Sequence, residues 1–266
     1  MMRFASLGSG SKGNATVVQT NDTLLLVDCG FPAKETERRL ARLGIRPEQV
    51  DAILVTHEHG DHAAGVAVAS RQWQLPVFLS HGTAASGRIT DAHSLICIDA
   101  DTQFQVGDIQ CEAIAVPHDA REPVQYCLSH GAERLGILTD LGSITPHVIA
   151  AFGNCTGLLL ECNYDLDLLL QGPYPPALKK RVAGDFGHLN NQQAAQLLAT
   201  ANTERLRQLV IGHISEQNNS LAHAQQSLQP VLSTLSANVV FACQSEGFDW
   251  LELSSLAPKQ NQSRCA

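Results

Sequence analysis

Val55-Thr56-His57-Glu58-His59-Gly60-Asp61-His62 sets three imidazoles and an aspartate within six residues, directly after the apolar run Ala52-Ile53-Leu54-Val55. That run reads as a buried strand, so the ligand-type side chains fall at its C-terminal mouth and on the turn that follows. Imidazole nitrogen and carboxylate oxygen suit borderline divalent metals such as Zn, Mn or Fe. A single helix turn or strand can offer two ligands to one ion. Four ligands leaving a tight turn in different directions suit two neighbouring ions better. Gly60 is expected to take positive φ, which lets a backbone so crowded with ligands turn. A plain solvated loop does not account for this density of ligands.

Composition frames the motif. The chain has 266 residues, 44% hydrophobic and 17% charged, enough for the core of one large α/β domain. A net charge of −8 argues against a broadly basic coat for nucleic acid, although bound metal ions would add local positive charge to that count. Eight cysteines (Cys29, Cys97, Cys111, Cys127, Cys155, Cys162, Cys243, Cys265) form no CxxC pair, and several lie in apolar runs. Buried free thiols are expected rather than a disulfide framework or a zinc ribbon. The segment Met1–Leu7 lacks a long apolar core and a cleavage site, and no run reaches membrane-spanning length. The expectation is a cytoplasmic protein with no membrane partner.

Strands and helices alternate along the chain. Arg3–Leu7, Thr16–Thr20 and Leu24–Val27 read as strands, followed by a helix over Lys34–Leu43 that stops at Gly44. A helix over Ala63–Gln72 and a strand at Pro76–Leu79 come after the histidine cluster. Ile96–Ile98, Gln103–Val106, Gln110–Val116, Val124–Ser129 and Arg134–Leu138 read as strands. Helices over Pro146–Phe152, Asp165–Leu170, Pro176–Val182 and Asn191–Ala201 surround strands at Gly157–Leu160 and Gln208–Ile211. A helix near Ala222–Thr234 and strands at Val239–Ala242 and Asp249–Leu253 close the pattern. Residues 1–256 are expected to be a single domain and 257–266 a polar, frayed tail. Two blocks, each strand-rich and then helical, predict two packed sheets with helices outside.

A His or Asp just after an apolar strand recurs three more times. Ile114-Ala115-Val116-Pro117-His118, Gly136-Ile137-Leu138-Thr139-Asp140 and Leu209-Val210-Ile211-Gly212-His213 each end a strand in a ligand-type residue. Functional residues gather at the carboxyl ends of strands in α/β folds, so these join the first cluster at one edge. His188 differs, because it lies in a polar loop between helices. His81, His93, His130, His147 and His223 have no comparable setting.

The HxHxDH cluster with a later His, a strand-end Asp and a final His resembles the metallo-β-lactamase superfamily, and the likeness spans nearly the whole chain. Gly8-Ser9-Gly10-Ser11-Lys12-Gly13-Asn14, Pro117-His118-Asp119-Ala120, Gly172-Pro173-Tyr174-Pro175, Gly187-His188-Leu189-Asn190-Asn191 and His213-Ile214-Ser215-Glu216-Gln217-Asn218-Asn219 look like the YycJ-like (WalJ-type) family within it. That family is similar to RNase Z and to DNA-processing nucleases. The resemblance implies an αββα sandwich, two mixed sheets with helices on the outer faces. Tyr164 stands where a histidine is usual and Gln125 where a glycine is usual; neither is a metal ligand in the family.

Carried over, the resemblance implies one ion held by His57, His59 and His118. A second would be held by Asp61, His62 and His213, with Asp140 bridging both. Two divalent ions bring +4, while Asp61, Asp140 and a bridging hydroxide remove three, leaving about +1 in a dry pocket for a phosphodiester anion. The implied nucleophile is that hydroxide, with Asp61 and His188 in catalytic roles. In similar enzymes a histidine in the loop of His188 contacts the scissile phosphate and assists leaving-group protonation, with Asp185 placed to orient it. Asp119 is expected to accept an N–H from a ligand imidazole. Ser11, Lys12, Asn14 and Asn190 are the candidate substrate contacts. The implied function is a binuclear metal-dependent phosphodiesterase, a DNA exonuclease acting on DNA ends or single strands, with a homodimer as a candidate assembly. The competing readings are a hydrolase of small cyclic or linear phosphodiesters, a thioester hydrolase and a non-catalytic regulatory module.

Overall fold

The structure is a computed structural model that describes residues 1–254 and the backbone of Gln262–Ser263. Strands β1 (Arg3–Gly8), β2 (Ala15–Gln19) and β3 (Leu24–Val27) form an antiparallel meander. To it β4 (Ala52–Leu54), β5 (Pro76–Ser80) and β6 (Ser94–Ile98) add in parallel. The second sheet repeats this plan. Strands β7 (Thr102–Val106), β8 (Ile109–Ala115), β9 (Val124–His130) and β10 (Glu133–Leu138) alternate in direction. Then β11 (Gly157–Glu161), β12 (Gln208–Gly212) and β13 (Asn238–Phe241) continue parallel to β10. The chain returns to the first sheet as β14 (Phe248–Glu252) beside β1, and β15 (Gln262–Ser263) pairs with β13.

Side-chain alternation explains the layers. In β11 to β13, Leu159, Val210 and Val240 face the first sheet and pack with Leu25, Leu54 and Tyr126. Their neighbours Leu158, Leu160, Leu209, Ile211, Val239 and Phe241 face helices Pro146–Phe152, Asn191–Thr200 and Leu221–Leu232. Leu26 and Ile53 of the first sheet pack on helices Ala33–Arg42 and Val66–Trp73. A period of two with both faces apolar is what a strand covered on both sides requires. The result is the expected αββα sandwich of two mixed sheets with helices outside.

Two local expectations are corrected. The helix expected over Ala63–Gln72 is two helices, Gly60–Ala63 and Val66–Trp73. The chain breaks at Gly65 because it passes against residues 29–31: a Cβ there would lie 1.9 Å from the Phe31 carbonyl oxygen. Gly60 does not take positive φ; it opens the short helix, after His59, that carries Asp61 and His62. The glycine that lets this segment pack is Gly30, where a Cβ would meet the Asp61 carbonyl oxygen at 1.8 Å. A short helix over His81–Ala85 was not expected. Cys29, Cys111, Cys127, Cys155 and Cys162 are buried free thiols and Cys97 is an exposed one, while Cys243 is buried. Cys265 and the tail at 257–266, Gln262–Ser263 apart, lie outside the described residues. Among the described residues no helix is long and apolar enough to cross a membrane.

Candidate metal centre

The parallel strands deliver their carboxyl ends to one edge. There β4 leads to His57 and the helix carrying Asp61 and His62, β8 to His118, β10 to Asp140 and β12 to His213. His57 and His62 are fully buried, as is nearly all of His118, Asp140 and His213. His59 and Asp61 are partly open to solvent.

Each buried imidazole is anchored through its outer nitrogen. His62 Nδ1 donates to Asp28 Oδ2 at 2.8 Å, His118 Nδ1 to the Gly187 carbonyl at 3.0 Å, and His213 Nδ1 to the Thr139 carbonyl at 2.8 Å. The Thr56 hydroxyl donates to Asp28 and accepts from His57 Nδ1 at 3.0 Å. Such bonds fix ring and tautomer, which leaves the inner nitrogen of each ring as an unprotonated donor for a metal. Inner nitrogens do converge. His57 Nε2 lies 3.0 Å from His59 Nδ1, which lies 3.3 Å from His118 Nε2.

Asp140 sits in the middle of this group. Its Oδ1 is 3.5 Å from His213 and 3.9 Å from His118 Nε2, and its Oδ2 is 3.0 Å from His62 Nε2. Despite that approach, Asp140 Oδ2 is buried with no hydrogen-bond partner. A carboxylate oxygen left without a donor is costly unless a cation meets it. The donor set around it, imidazole nitrogens and a carboxylate, suits a divalent metal. Sets within metal-binding reach are His57–His59–His118, His57–His62–Asp140, His118–Asp140–His188 and Glu161–His188–His213.

Charge follows burial and neighbours. Burial lowers His57 well below the ordinary imidazole range, with His62 adding to the effect, and brings His118 down to about 4. Burial also opposes charge on His62 and His213, but the surrounding carboxylates together outweigh it: Asp140, Asp28 and Asp61 raise His62 well above its ordinary value, and Asp140, Glu161 and Asp61 raise His213 to about 9. Asp140 is pushed up by burial yet held well below the carboxylate range by His62 and His213. Asp140 is thus an anion set among imidazoles.

His188 lines the same space but is held differently. Its Nδ1 donates to Glu161 Oε2 at 3.0 Å, which leaves Nε2 free. Asp185, expected to orient it, is exposed, and Glu161 does this instead. Fully buried at the end of β11, Glu161 also accepts the backbone N–H groups of Leu141 and Leu189. At His118 the Gly187 carbonyl takes the outer nitrogen; Asp119 pairs with Arg181 on the open side and comes to 3.9 Å from the outer nitrogen of His59, beyond hydrogen-bond reach. Gln125 sits deep in the core rather than in a channel, accepting the Thr139 N–H at 3.0 Å and so fixing the loop that carries Asp140. Tyr164 is buried against Leu169 and Val182.

The other candidates divide. Asn14 is buried with Nδ2 3.0 Å from His62 Nε2 and 3.4 Å from Asp61 Oδ2, against the ligand set rather than in the open cavity. Lys12 is exposed and pairs with Glu216 at 2.7 Å. Ser11 lines a cavity of about 320 Å³, together with His59, Asp61, Asp140, His188 and His213. Asn190 caps helix Asn191–Thr200, its Oδ1 accepting the Gln193 N–H at 2.8 Å, and is not among the residues lining the cavity.

Two carboxylates of the site, Asp28 and Glu161, escaped the sequence reading. Both satisfy the same strand-end rule, in Leu24-Leu25-Leu26-Val27-Asp28 and Leu158-Leu159-Leu160-Glu161. Asp28 (φ 61°) and His213 (φ 50°) are left-handed non-glycine residues, each storing about 1–3 kcal/mol of strain at the centre.

A profile of the β-lactamase superfamily domain matches residues 23–214, across all the ligand-bearing strand ends. The chain belongs to the β-lactamase superfamily. Within it, the chain is 33% identical over 236 residues to the exodeoxyribonuclease YycJ of Bacillus anthracis, covering 87% of this chain and 89% of that protein. It is 32% identical over 248 residues to the exodeoxyribonuclease WalJ of Streptococcus pneumoniae, covering 90% and 92%. In fold it is similar to the metallo-β-lactamase fold protein YhfI of Bacillus subtilis, with TM-score 0.73, 18% identity, and coverage of 95% of this chain and 100% of that one. It is therefore an enzyme of the YycJ/WalJ family, a metal-dependent hydrolase.

Proposed function

We propose that this chain is a binuclear metal-dependent phosphodiesterase that removes nucleotides from DNA ends. The observation that carries the binuclear reading is Asp140, a buried anionic carboxylate with one oxygen lacking a hydrogen-bond partner, ringed by imidazoles anchored from behind. The exodeoxyribonuclease activity of its relatives YycJ and WalJ supports DNA as the substrate.

In this reading His57, His59 and His118 would hold one ion and Asp61, His62 and His213 the other, with Asp140 shared between the two sets. Bound there, the ions would supply Lewis-acid charge and a water of lowered pKa. The chain's own residues do the rest. Asp28 and Gln125 hold His62 and the Asp140 loop in place, which keeps the centre rigid before substrate arrives. Asp61, on the open side, orients the attacking water. His188, held by Glu161 through Nδ1, offers Nε2 to the scissile phosphate or the leaving oxygen. Ser11 donates from the cavity wall to a phosphate oxygen.

The test is purified protein with Mn²⁺ or Zn²⁺ on end-labelled single-stranded and double-stranded DNA, RNA and bis(p-nitrophenyl) phosphate. Stepwise loss of terminal nucleotides from DNA is expected. Strong turnover of nitrocefin or S-lactoylglutathione with no phosphodiester cleavage would overturn the reading.

A further inference from the structure

Although the net charge is −8, helix Pro176–Val182 carries Lys179-Lys180-Arg181 and no acidic residue. One face of it, Leu178, Arg181 and Val182, lines the cavity of the metal centre together with Tyr174 just before it. That spacing of three and four residues is a helix face, which puts Arg181 at the cavity and leaves Lys180, two residues on from Leu178, on the far side of the helix. Arg181 holds Asp119 on the open side of the centre, where Asp119 Oδ1 lies 3.6 Å from His118 Nε2. Lys179 reaches back to the Leu170 carbonyl. Lys180 is exposed and, among the described residues, forms no ion pair.

Four residues on from Val182, Phe186 is 62% exposed. Among the described residues it is the most exposed large hydrophobic side chain and the sole aromatic in that group. Its backbone, by contrast, is tightly seated. A Cβ on Gly142, two residues past Asp140, would lie 2.4 Å from Phe186 Cα. The next carbonyl, that of Gly187, takes the His118 hydrogen bond, and His188 N–H donates to Val182 O at 2.9 Å. A ring in water on a backbone fixed by the loops of the metal centre is a platform held at a set distance from the reacting phosphate.

We propose that helix Pro176–Val182 and the turn at Gly184–Gly187 form the entry track for a single DNA strand. Phe186 stacks on an unpaired base next to the cleaved end, and Arg181 contacts its phosphate. The inference rests on the exonuclease reading above and assigns where the strand lies. A cationic stripe with an aromatic face is how sequence-tolerant single-strand sites are built, since every base has a face to stack. A base inside a duplex is already stacked on both sides, so the track favours frayed or single-stranded ends.

The test compares the metal-loaded wild type with Phe186→Ala, Phe186→Trp and Lys180→Ala on a labelled single-stranded oligonucleotide and on bis(p-nitrophenyl) phosphate. Phe186→Ala should raise KM for the oligonucleotide on the order of 10- to 100-fold, and Phe186→Trp should restore it. Lys180→Ala, on the far side of the helix, should leave the KM for the oligonucleotide and its salt dependence unchanged. Turnover of the small diester should not change in any of the three. An unchanged KM for Phe186→Ala overturns the track, as does an equal loss on both substrates that tryptophan does not restore. A dimer that Phe186→Ala splits while KM stays constant makes the ring a contact between copies and also overturns it. A wild type that cleaves the small diester but binds no oligonucleotide removes the track alone. One that cleaves neither removes the phosphodiesterase reading, and the track falls with it.

Discussion

The first sheet and the second supply the metal centre in opposite ways. From the first, four ligand-type residues come off one six-residue segment, His57 to His62, behind a single strand. The second gives one residue per strand, His118, Asp140 and His213, separated by up to 73 residues of chain between the latter two. Local backbone geometry sets the spacing of the compact set, whereas the packing of strands β8 to β12 sets that of the dispersed one. Each set also has its own brace: Asp28 behind His62, and Glu161 behind His188. Rigidity therefore lies with the Asp28 half, while His188, partly exposed, faces the incoming substrate.

Breaking the junction between the halves should cost most. Asp140→Ala removes the carboxylate that both sides share, and several kcal/mol of transition-state stabilisation with it, so kcat should fall on the order of 10³-fold or more. Steady-state kinetics with metal analysis checks this; a variant that keeps full metal content and rate would dissolve the proposed junction. Next comes His188→Ala, expected to keep its metal while kcat drops on the order of 10²- to 10⁴-fold. That loss should shrink when p-nitrophenolate is the leaving group, because it needs little protonation. An equal loss for good and poor leaving groups would assign His188 to phosphate positioning.

The two braces sharpen the comparison. Asp28→Asn should weaken metal affinity on the order of 10- to 100-fold, read by chelator competition, because the ring of His62 loses its anionic anchor. Glu161→Gln should leave metal content intact and repeat the leaving-group dependence of the His188 variant at smaller size. Reversed outcomes would mean that Glu161 serves the metals and Asp28 the substrate. The smallest effect belongs to Asn190→Ala, which removes a helix cap worth about 1 kcal/mol. The melting temperature should drop slightly with KM unchanged, and a raised KM instead would make Asn190 a substrate contact.

What the sequence revealed follows the same division. The compact cluster could be read directly, because adjacent residues carry the chemistry. Strands β10 to β13 were legible because their apolar runs are short and bounded, and His118, Asp140 and His213 because each ends such a run. Asp28 and Glu161 obey the same pattern, but a buried carboxylate that accepts from an imidazole has no neighbouring residue to mark it. Gly60 was misread because its role depends on a helix that starts at the motif, and Gly30 and Gly65 went unread because the backbone each accommodates, at Asp61 and at Phe31, is distant in the chain. Asp185 was the nearest acid to His188 in the chain, yet Glu161, 27 residues earlier, is nearest in space.

Anomalous diffraction from crystals of the native protein, at the absorption edge of the metal it carries, tests the central claim most directly. The account predicts two peaks roughly 3.5–4 Å apart, one among His57, His59 and His118, the other beside His62 and His213, with Asp140 reaching both. A single peak, or two peaks that Asp140 does not touch, would contradict it.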